Sequence, residues 1–77
     1  MKLSEYCKKQ RKEAGLSIQA FAKIRNVTHT YVLDTEIGKR NNPSAKTLVR
    51  IMEVYQLTTA DLTGIEFDFQ KDSQAFL

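Results

Sequence analysis

The segment SIQAFAKIRNVTHTYVLDTEIG, residues 17–38, decides the fold because it has the pattern of two short helices joined by a tight turn. Ser17 is a good N-cap, since its hydroxyl can accept from an amide left free at a helix start. Asn26 ends the first helix, because asparagine readily takes the left-handed conformation that a sharp turn needs. Thr28 caps the second helix, on which Val32 faces the first. The segment is therefore predicted to be a helix-turn-helix.

The length and composition predict one small domain without a cofactor. The 77 residues can bury a modest core, and 42% hydrophobic residues with three glycines and one proline permit well-packed helices. Cys7 is the single cysteine, so neither an internal disulfide nor a metal set is expected. No apolar run approaches the ~18 residues of a membrane span, and no signal-peptide core follows the N-terminus. A cytoplasmic protein with no membrane attachment is the expectation.

The charge is divided unevenly along the chain. Residues 1–50 carry eleven Lys or Arg against four acids, a net charge of +7, whereas residues 51–77 carry one lysine against five acids, a net charge of −4. This asymmetry suggests that one face meets a polyanion such as nucleic acid. The charge alone is equally compatible with a solvated surface that has no partner.

Helical periodicity and stop signals predict five helices and hence an all-α fold. The predicted helices run from Leu3 to Ala14, from Ile18 to Arg25, from His29 to Ile37, from the cap Ser44 to Tyr55, and from Thr58 or Thr59 to Gly64. Residues 1–64 are thus expected to form the domain. Residues 65–77 form a C-terminal extension, in which Ile65, Phe67 and Phe69 alternate with polar residues as in an edge strand.

Several short motifs identify the type of helix-turn-helix. They are Gly15-Leu16-Ser17 before the second helix, Ala22 within it, Val27-Thr28 at the turn, Glu36 and Gly38 at the end of the third helix, and Pro43-Ser44 before the fourth. With this order of elements, residues 3–63 resemble the phage-repressor and Cro-type helix-turn-helix family, the lambda-repressor-like or XRE-type DNA-binding domains. The resemblance implies a compact five-helix fold and an ion pair between Arg11 and Glu36 that ties helix one to helix three.

The resemblance also implies a function, that of a sequence-specific double-stranded DNA-binding transcriptional regulator, most often a repressor. In this family the third helix lies in the major groove, and the positions that face base edges are here His29, Thr30, Leu33 and Asp34. His29 and Thr30 suit that role, since both can donate or accept hydrogen bonds and Thr adds a methyl group for thymine. We further expect phosphate contacts from the following residues: Ser17, Tyr31, Lys39, Arg40 and Ser44. For Lys39 and Arg40, a solvated basic turn is the alternative.

Such a small reader contacts few bases, so a symmetric homodimer on two half-sites about one helical turn (~34 Å) apart is expected. Ile65, Phe67 and Phe69 are the candidate dimer surface, because they are apolar and remote from the basic segment. The alternatives are that they pack on their own domain, or that the extension is a flexible tail.

The sequence departs from the family pattern at several positions. Arg25 and Thr35 occupy positions where an apolar core residue is usual, and Ile24 is expected to turn inward in place of Arg25. Leu33 and Asp34 are unusual on a reading face. These departures support an alternative function as a protein-protein interaction module, antitoxin-like or a phage-encoded inhibitor. Its contact residues would be Ile18, Leu33 and Ile37 with part of the tail, namely Phe67, Phe69, Phe76 and Leu77. No nucleophile, base and orienting acid suggest an enzyme.

Overall fold

The computed structural model describes residues 1–67, and over that range it is all-helical. The helices are α1 (Leu3–Glu13), α2 (Ile18–Ile24), α3 (His29–Glu36), α4 (Ala45–Tyr55) and α5 (Thr59–Leu62). The prediction of an all-α, five-helix fold is confirmed, and the residues predicted to end the first three helices are their C-caps. The predicted edge strand is wrong over the described residues, where Glu66 forms only an isolated parallel bridge with Lys2.

The helix starts are fixed locally by side-chain hydroxyls. The Ser17 oxygen accepts from the Ala20 amide at 3.1 Å, and the Thr28 oxygen accepts from the Tyr31 amide at 3.0 Å. Ser44 caps α4 in the same way. Thr58, and not Thr59, caps α5, because its hydroxyl and the Asp61 carboxylate satisfy each other's backbone amides in a capping box.

Two left-handed residues form the turn and the end of the helix-turn-helix. Asn26, with φ of 57°, makes the sharp turn between α2 and α3, and Gly38, with φ of 100°, ends the segment after α3. A Cβ atom at Gly38 would lie 3.1 Å from the Asn41 side-chain nitrogen, so both the backbone and the space require glycine there.

The core lies where α1, α2, α3 and α4 meet. Its buried hydrophobic residues are Leu3, Cys7, Phe21, Ala22, Val32, Ile51, Val54, Tyr55, Leu57 and Ile65. The Phe21 and Tyr55 rings pack with their centroids 4.7 Å apart and tie α2 to α4. Since each fully buried large side chain stabilises the fold by about 1.5–3 kcal/mol, this cluster is the main source of stability.

The two polar residues at usually apolar positions are accommodated in different ways. Thr35 is buried, and its hydroxyl donates to the Tyr31 carbonyl at 2.8 Å, so no polar group is left unpaired. Arg25 lays its guanidinium over the Phe21 ring, 5.3 Å from the centroid. The long Arg25 side chain thus contributes to the packing itself, although Ile24 was expected to turn inward in its place. That expectation is wrong, because Ile24 is 61% exposed.

The first part of the C-terminal extension packs on its own domain. Ile65 is only 7% exposed and belongs to the core cluster, and Phe67 packs against that cluster half-buried. The Glu66 amide donates to the Met1 carbonyl at 2.8 Å, which holds the extension beside the start of α1. Ile65 therefore packs on its own domain, as the alternative expected, and a dimer contact through the extension stays a prediction. Phe69, Phe76 and Leu77 lie outside the described residues.

The end of α4 allows a test of backbone strain. Gln56 caps α4 with φ of 55°, a left-handed conformation that glycine adopts without the steric cost of a Cβ atom. We expect Gln56→Gly to raise the free energy of unfolding by about 0.5–1 kcal/mol, measured by urea denaturation. Gln19→Gly, at an exposed site within α2, should instead lower it by about 1 kcal/mol. Equal losses in both variants would contradict the strain argument.

Candidate nucleic-acid interface

The inner side of α3 fixes its orientation in the domain. Val32 and Thr35 are 0% and 1% exposed, and they point into the core between α1 and α2. The small, buried Ala22 lies in the facing helix, and the Val27 amide donates to its carbonyl at 3.0 Å through the turn. The helix-turn-helix is therefore rigidly attached to the rest of the domain.

An ion pair fastens the end of α3 to α1. The Arg11 Nε lies 2.9 Å from Glu36 Oε2, both side chains are less than a tenth exposed, and Arg11 Nη1 donates to the Leu16 carbonyl at 2.7 Å. The Tyr55 hydroxyl donates to Glu36 from α4 at 3.1 Å. The hydrogen bond to Glu36 raises the pKa of Arg11, and burial followed by the Glu36 charge raises the pKa of Tyr55. Residues far from the surface thus set where α3 lies.

The outer side of α3 carries the four residues that sequence analysis assigned to base edges. His29 and Thr30 are exposed, Leu33 is 36% exposed, and Asp34 is half-buried. At eight residues, α3 is about 12 Å long, and a helix of this diameter fits the major groove of B-DNA. His29 also borders a surface hollow between α2 and α3, together with Ser17 and Lys23. The four positions lie on one side of α3, and three of their side chains are polar.

A lysine compensates the carboxylate on this surface. The Lys39 ammonium lies 3.5 Å from Asp34 Oδ1, and the Lys39 amide donates to the Asp34 carbonyl at 3.1 Å. The Lys39 side chain is 66% exposed, so the pair contributes at most about 1 kcal/mol to stability. Its importance is electrostatic, because it reduces the negative charge that Asp34 would present to DNA phosphates.

Ser17 and Ser44 both lie exposed at helix starts, where their hydroxyls serve as caps. Neither α2 nor α4 has an acidic residue in its first turn. The remaining first-turn amides of these helices have no intrahelical acceptor, and no local acid offsets the positive end of either helix dipole. Both ends are therefore suited to an anion.

Tyr31 and Arg40 were expected to contact phosphates separately, but in the structure they pack against each other. The Arg40 guanidinium lies over the Tyr31 ring, 4.7 Å from its centroid, and the Tyr31 hydroxyl oxygen is buried. Burial raises the pKa of Tyr31, while the charges of Arg40 and Arg50 lower it. Tyr31 is thus a support for Arg40, and its hydroxyl is not presented to solvent.

Sequence analysis missed Arg50 and Asn41. Arg50 is exposed on α4 and borders a cleft with Thr28 and Tyr31 at the start of α3. The sequence could have indicated this location, because Arg50 directly precedes the buried Ile51 and so lies at the edge of the inward face of α4. Asn41 accepts from the Ser4 amide at 2.9 Å and so anchors the basic loop to α1, a long-range contact that has no local signature.

Within residues 1–67, no helix is long and apolar enough to cross a membrane. The same part of the chain holds no group of three or more His, Cys, Asp or Glu side chains arranged for a metal ion.

Comparison with known proteins identifies the fold family. The family model for the helix-turn-helix matches residues 8–62. The chain is 38% identical over 68 residues to the HTH-type transcriptional regulator DdrOP3 of Deinococcus deserti, an alignment that covers 87% of this chain and 52% of that protein. The chain thus spans about half the length of this relative. No solved structure gives a significant match. The chain therefore belongs to the helix-turn-helix family, in its lambda-repressor-like or XRE-type branch.

Proposed function

We propose that this protein is a sequence-specific double-stranded DNA-binding transcriptional regulator, acting as a repressor in the cytoplasm, and that α3 reads the major groove. The observation that carries the proposal is the two-sided construction of α3. Its inner side is fixed by Val32, Thr35 and the Arg11–Glu36 ion pair, while its outer side is left free for contact. The relative named as a transcriptional regulator supports this function.

The chemistry of the outer side suits base recognition. His29 and Thr30 can donate to or accept from base edges, and Leu33 can contact a thymine methyl group. Asp34 can accept from a cytosine amino group, with Lys39 beside it to offset its repulsion from phosphates. Sequence preference would come from these four residues.

Binding strength would come from the backbone contacts around them. First-turn amides of α2 and α4, after Ser17 and Ser44, would hold phosphates together with the charges of Lys39 and Arg40. These contacts carry no sequence information, but they fix the position of α3 in the groove.

We further propose that two copies bind DNA as a symmetric homodimer. An eight-residue α3 reaches few base pairs, and two half-sites about 34 Å apart would double the sequence that is read. Ile65 is buried within its own domain, so the dimer contact would use other residues.

Exposed apolar groups on α3 favour one second candidate function, a protein-protein interaction module. Leu33 and Ile37 are 36% and 58% exposed and lie one turn apart. Ile18, the third residue assigned to that surface, is half-buried and packs against the core. Two exposed apolar side chains form a smaller patch than most protein contacts use, so the DNA-reading function has the stronger support.

Selection from a random pool of duplex DNA, followed by sequencing at two salt concentrations, tests the proposal. The expected result is an enriched two-fold symmetric motif and an affinity that falls steeply with salt, because counterions are released from neutralised phosphates. Weak binding to every sequence without enrichment would contradict it and would favour the protein-contact function of Leu33 and Ile37.

Two substitutions separate reading from backbone contact. Thr30→Ala should change the preferred base at one position of each half-site, because it removes a hydroxyl and a methyl group from the reading surface. Lys39→Ala should weaken binding to all sequences similarly and lower the salt slope by about one. Equal effects of both variants across unrelated duplexes would contradict these roles. If Lys39→Ala instead changed the preferred base at one position, Lys39 would affect base reading by orienting Asp34.

A further inference from the structure

Two arginines from different parts of the chain flank Tyr31. Arg40, from the loop after α3, lies 4.7 Å from the ring centroid. Arg50, from α4, borders the same cleft as Tyr31 and Thr28, and both arginine charges act on the Tyr31 hydroxyl. Among residues 1–67, neither Arg40 nor Arg50 forms a salt bridge with an acid.

This arrangement is electrostatically incomplete. Two like charges that converge on one ring repel each other, and no carboxylate among the described residues pairs with either of them. The Arg40 Nε atom is also buried without a hydrogen-bond partner, whereas the Tyr31 hydroxyl lies within reach of the Arg50 guanidinium. Buried polar groups normally have partners, so two unpaired cations and an unused guanidinium donor at one place indicate an anionic ligand.

We propose that Arg40 and Arg50, both held against Tyr31, form a binding site for one backbone phosphate of DNA, outside the base-reading side of α3. The inference rests on the proposed DNA-binding function and adds to it a contact from α4. The guanidinium group matches a phosphate, since its planar fork donates two parallel hydrogen bonds to two oxygens. Stacking on Tyr31 already restricts Arg40, so less side-chain entropy is lost when the phosphate binds.

The location of the cleft favours the same ligand. It holds about 410 Å³ and is lined by the turn before α3, including Thr28, which caps that helix. The positive end of the α3 dipole therefore adds to the arginine charges at this point. Because α3 begins here, a phosphate in the cleft would fix how deeply the first residues of α3, His29 and Thr30, enter the groove.

The test uses the full chain, a duplex that it binds, and variants matched in charge. Arg50→Gln should weaken binding to every duplex by about tenfold and lower the salt slope by about 0.9, as expected for one lost phosphate contact. Lys12→Gln removes the same charge from the exposed outer side of α1 and should change affinity less than about twofold. Thermal unfolding of each variant checks that the fold is intact, which is expected because Arg50 is exposed.

A scan with uncharged methylphosphonates locates the contact. Replacing one phosphate at a time should identify a position in each half-site where the native protein loses affinity but Arg50→Gln does not. Arg40→Gln should be insensitive at the same position, because both side chains hold the same group. Two outcomes would overturn this inference and leave the DNA-reading function intact. In the first, Arg50→Gln changes the DNA affinity no more than Lys12→Gln does. In the second, Arg50→Gln loses as much affinity as the native protein when the same phosphate is replaced. Failure of the native protein to bind any duplex would overturn the DNA-reading function and this inference with it.

Discussion

Replacing Glu36 with glutamine should lower the free energy of unfolding by about 3–5 kcal/mol, the cost of removing one partner from a buried ion pair. Glu36 Oε1 and Oε2 lie 2.9–3.1 Å from Arg11 nitrogens, and the side chains of Arg11 and Glu36 are 8% and 3% exposed, respectively. Glutamine keeps the shape of the side chain but removes its charge. The Arg11 guanidinium would then be a buried cation without a counter-charge, and its acceptors would be the neutral amide oxygen at position 36 and the Leu16 carbonyl.

The size of this loss should be visible against the whole stability of the domain. Small domains unfold with a free energy of about 5–15 kcal/mol, so the loss is a large part of the total. The hydrogen bond from Tyr55 to Glu36 is weakened by the same change, because a carboxylate is a stronger acceptor than an amide. We therefore expect Glu36→Gln to leave α3 poorly held and to reduce DNA binding together with stability.

Urea denaturation of Glu36→Gln and Glu13→Gln makes the comparison. Glu13 is paired with Lys9 at 3.8 Å on the surface, where both side chains are more than half exposed. The same chemical change there should cost less than about 0.5 kcal/mol. If the two variants unfolded within 1 kcal/mol of each other, the Arg11–Glu36 pair would not be the structural tie between α1 and α3.

Local signals made the helix-turn-helix predictable from the sequence. Ser17, Thr28 and Ser44 act within three residues of their own position, and Asn26 acts on its own backbone conformation. Such effects need no knowledge of the rest of the chain. The helices and their bounds therefore follow from the sequence to within a residue or two.

Contacts between distant side chains were the part that could not be predicted. Ile24 was expected inside because its position relative to Arg25 suggested a substitute, yet the long Arg25 side chain covers Phe21 by itself. Ile65 has an apolar pattern that fits either a dimer or its own core, and only packing decides between them.

In the candidate site, too, local positions were predictable from the sequence and long-range contacts were not. Periodicity placed His29 and Thr30 on one side of α3, because helix geometry fixes relative positions along one element. It could not place Lys39 beside Asp34, or Arg50 beside Tyr31, since those pairs depend on the course of the loop and on where the fold places α4 relative to the start of α3.

The second large effect that we expect is a loss of stability at alkaline pH through Cys7. Its side chain is fully buried, and burial, with a smaller contribution from the Glu36 charge, raises the pKa of the thiol to about 12. In the unfolded chain the thiol has a pKa of about 8.5. Between these two pKa values, the folded state therefore keeps the thiol proton that the unfolded state has lost.

The sign follows from proton binding. Below about pH 8.5 both states hold the thiol proton, and the free energy of unfolding does not depend on Cys7. Above that pH the folded state binds more protons than the unfolded state, so the free energy of unfolding falls as pH rises. By pH 12 the loss from Cys7 amounts to about 4 kcal/mol, at 1.36 kcal/mol per pKa unit. Tyr55, whose pKa is also raised by burial and by Glu36, adds a loss of the same sign above about pH 10.

Urea denaturation from pH 7 to 10 separates the Cys7 contribution from that of Tyr55, because tyrosine titrates at the upper end of this range. The native protein should lose stability with a slope that approaches 1.4 kcal/mol per pH unit above pH 9. Cys7→Ala is expected to be less stable at pH 7, since it leaves a small cavity in the core, but its slope between pH 8.5 and 10 should be much shallower. If the free energy of unfolding fell with the same slope in both proteins, the buried thiol would not control alkaline unfolding. The part of the core around Cys7 would then open to water before the thiol titrates.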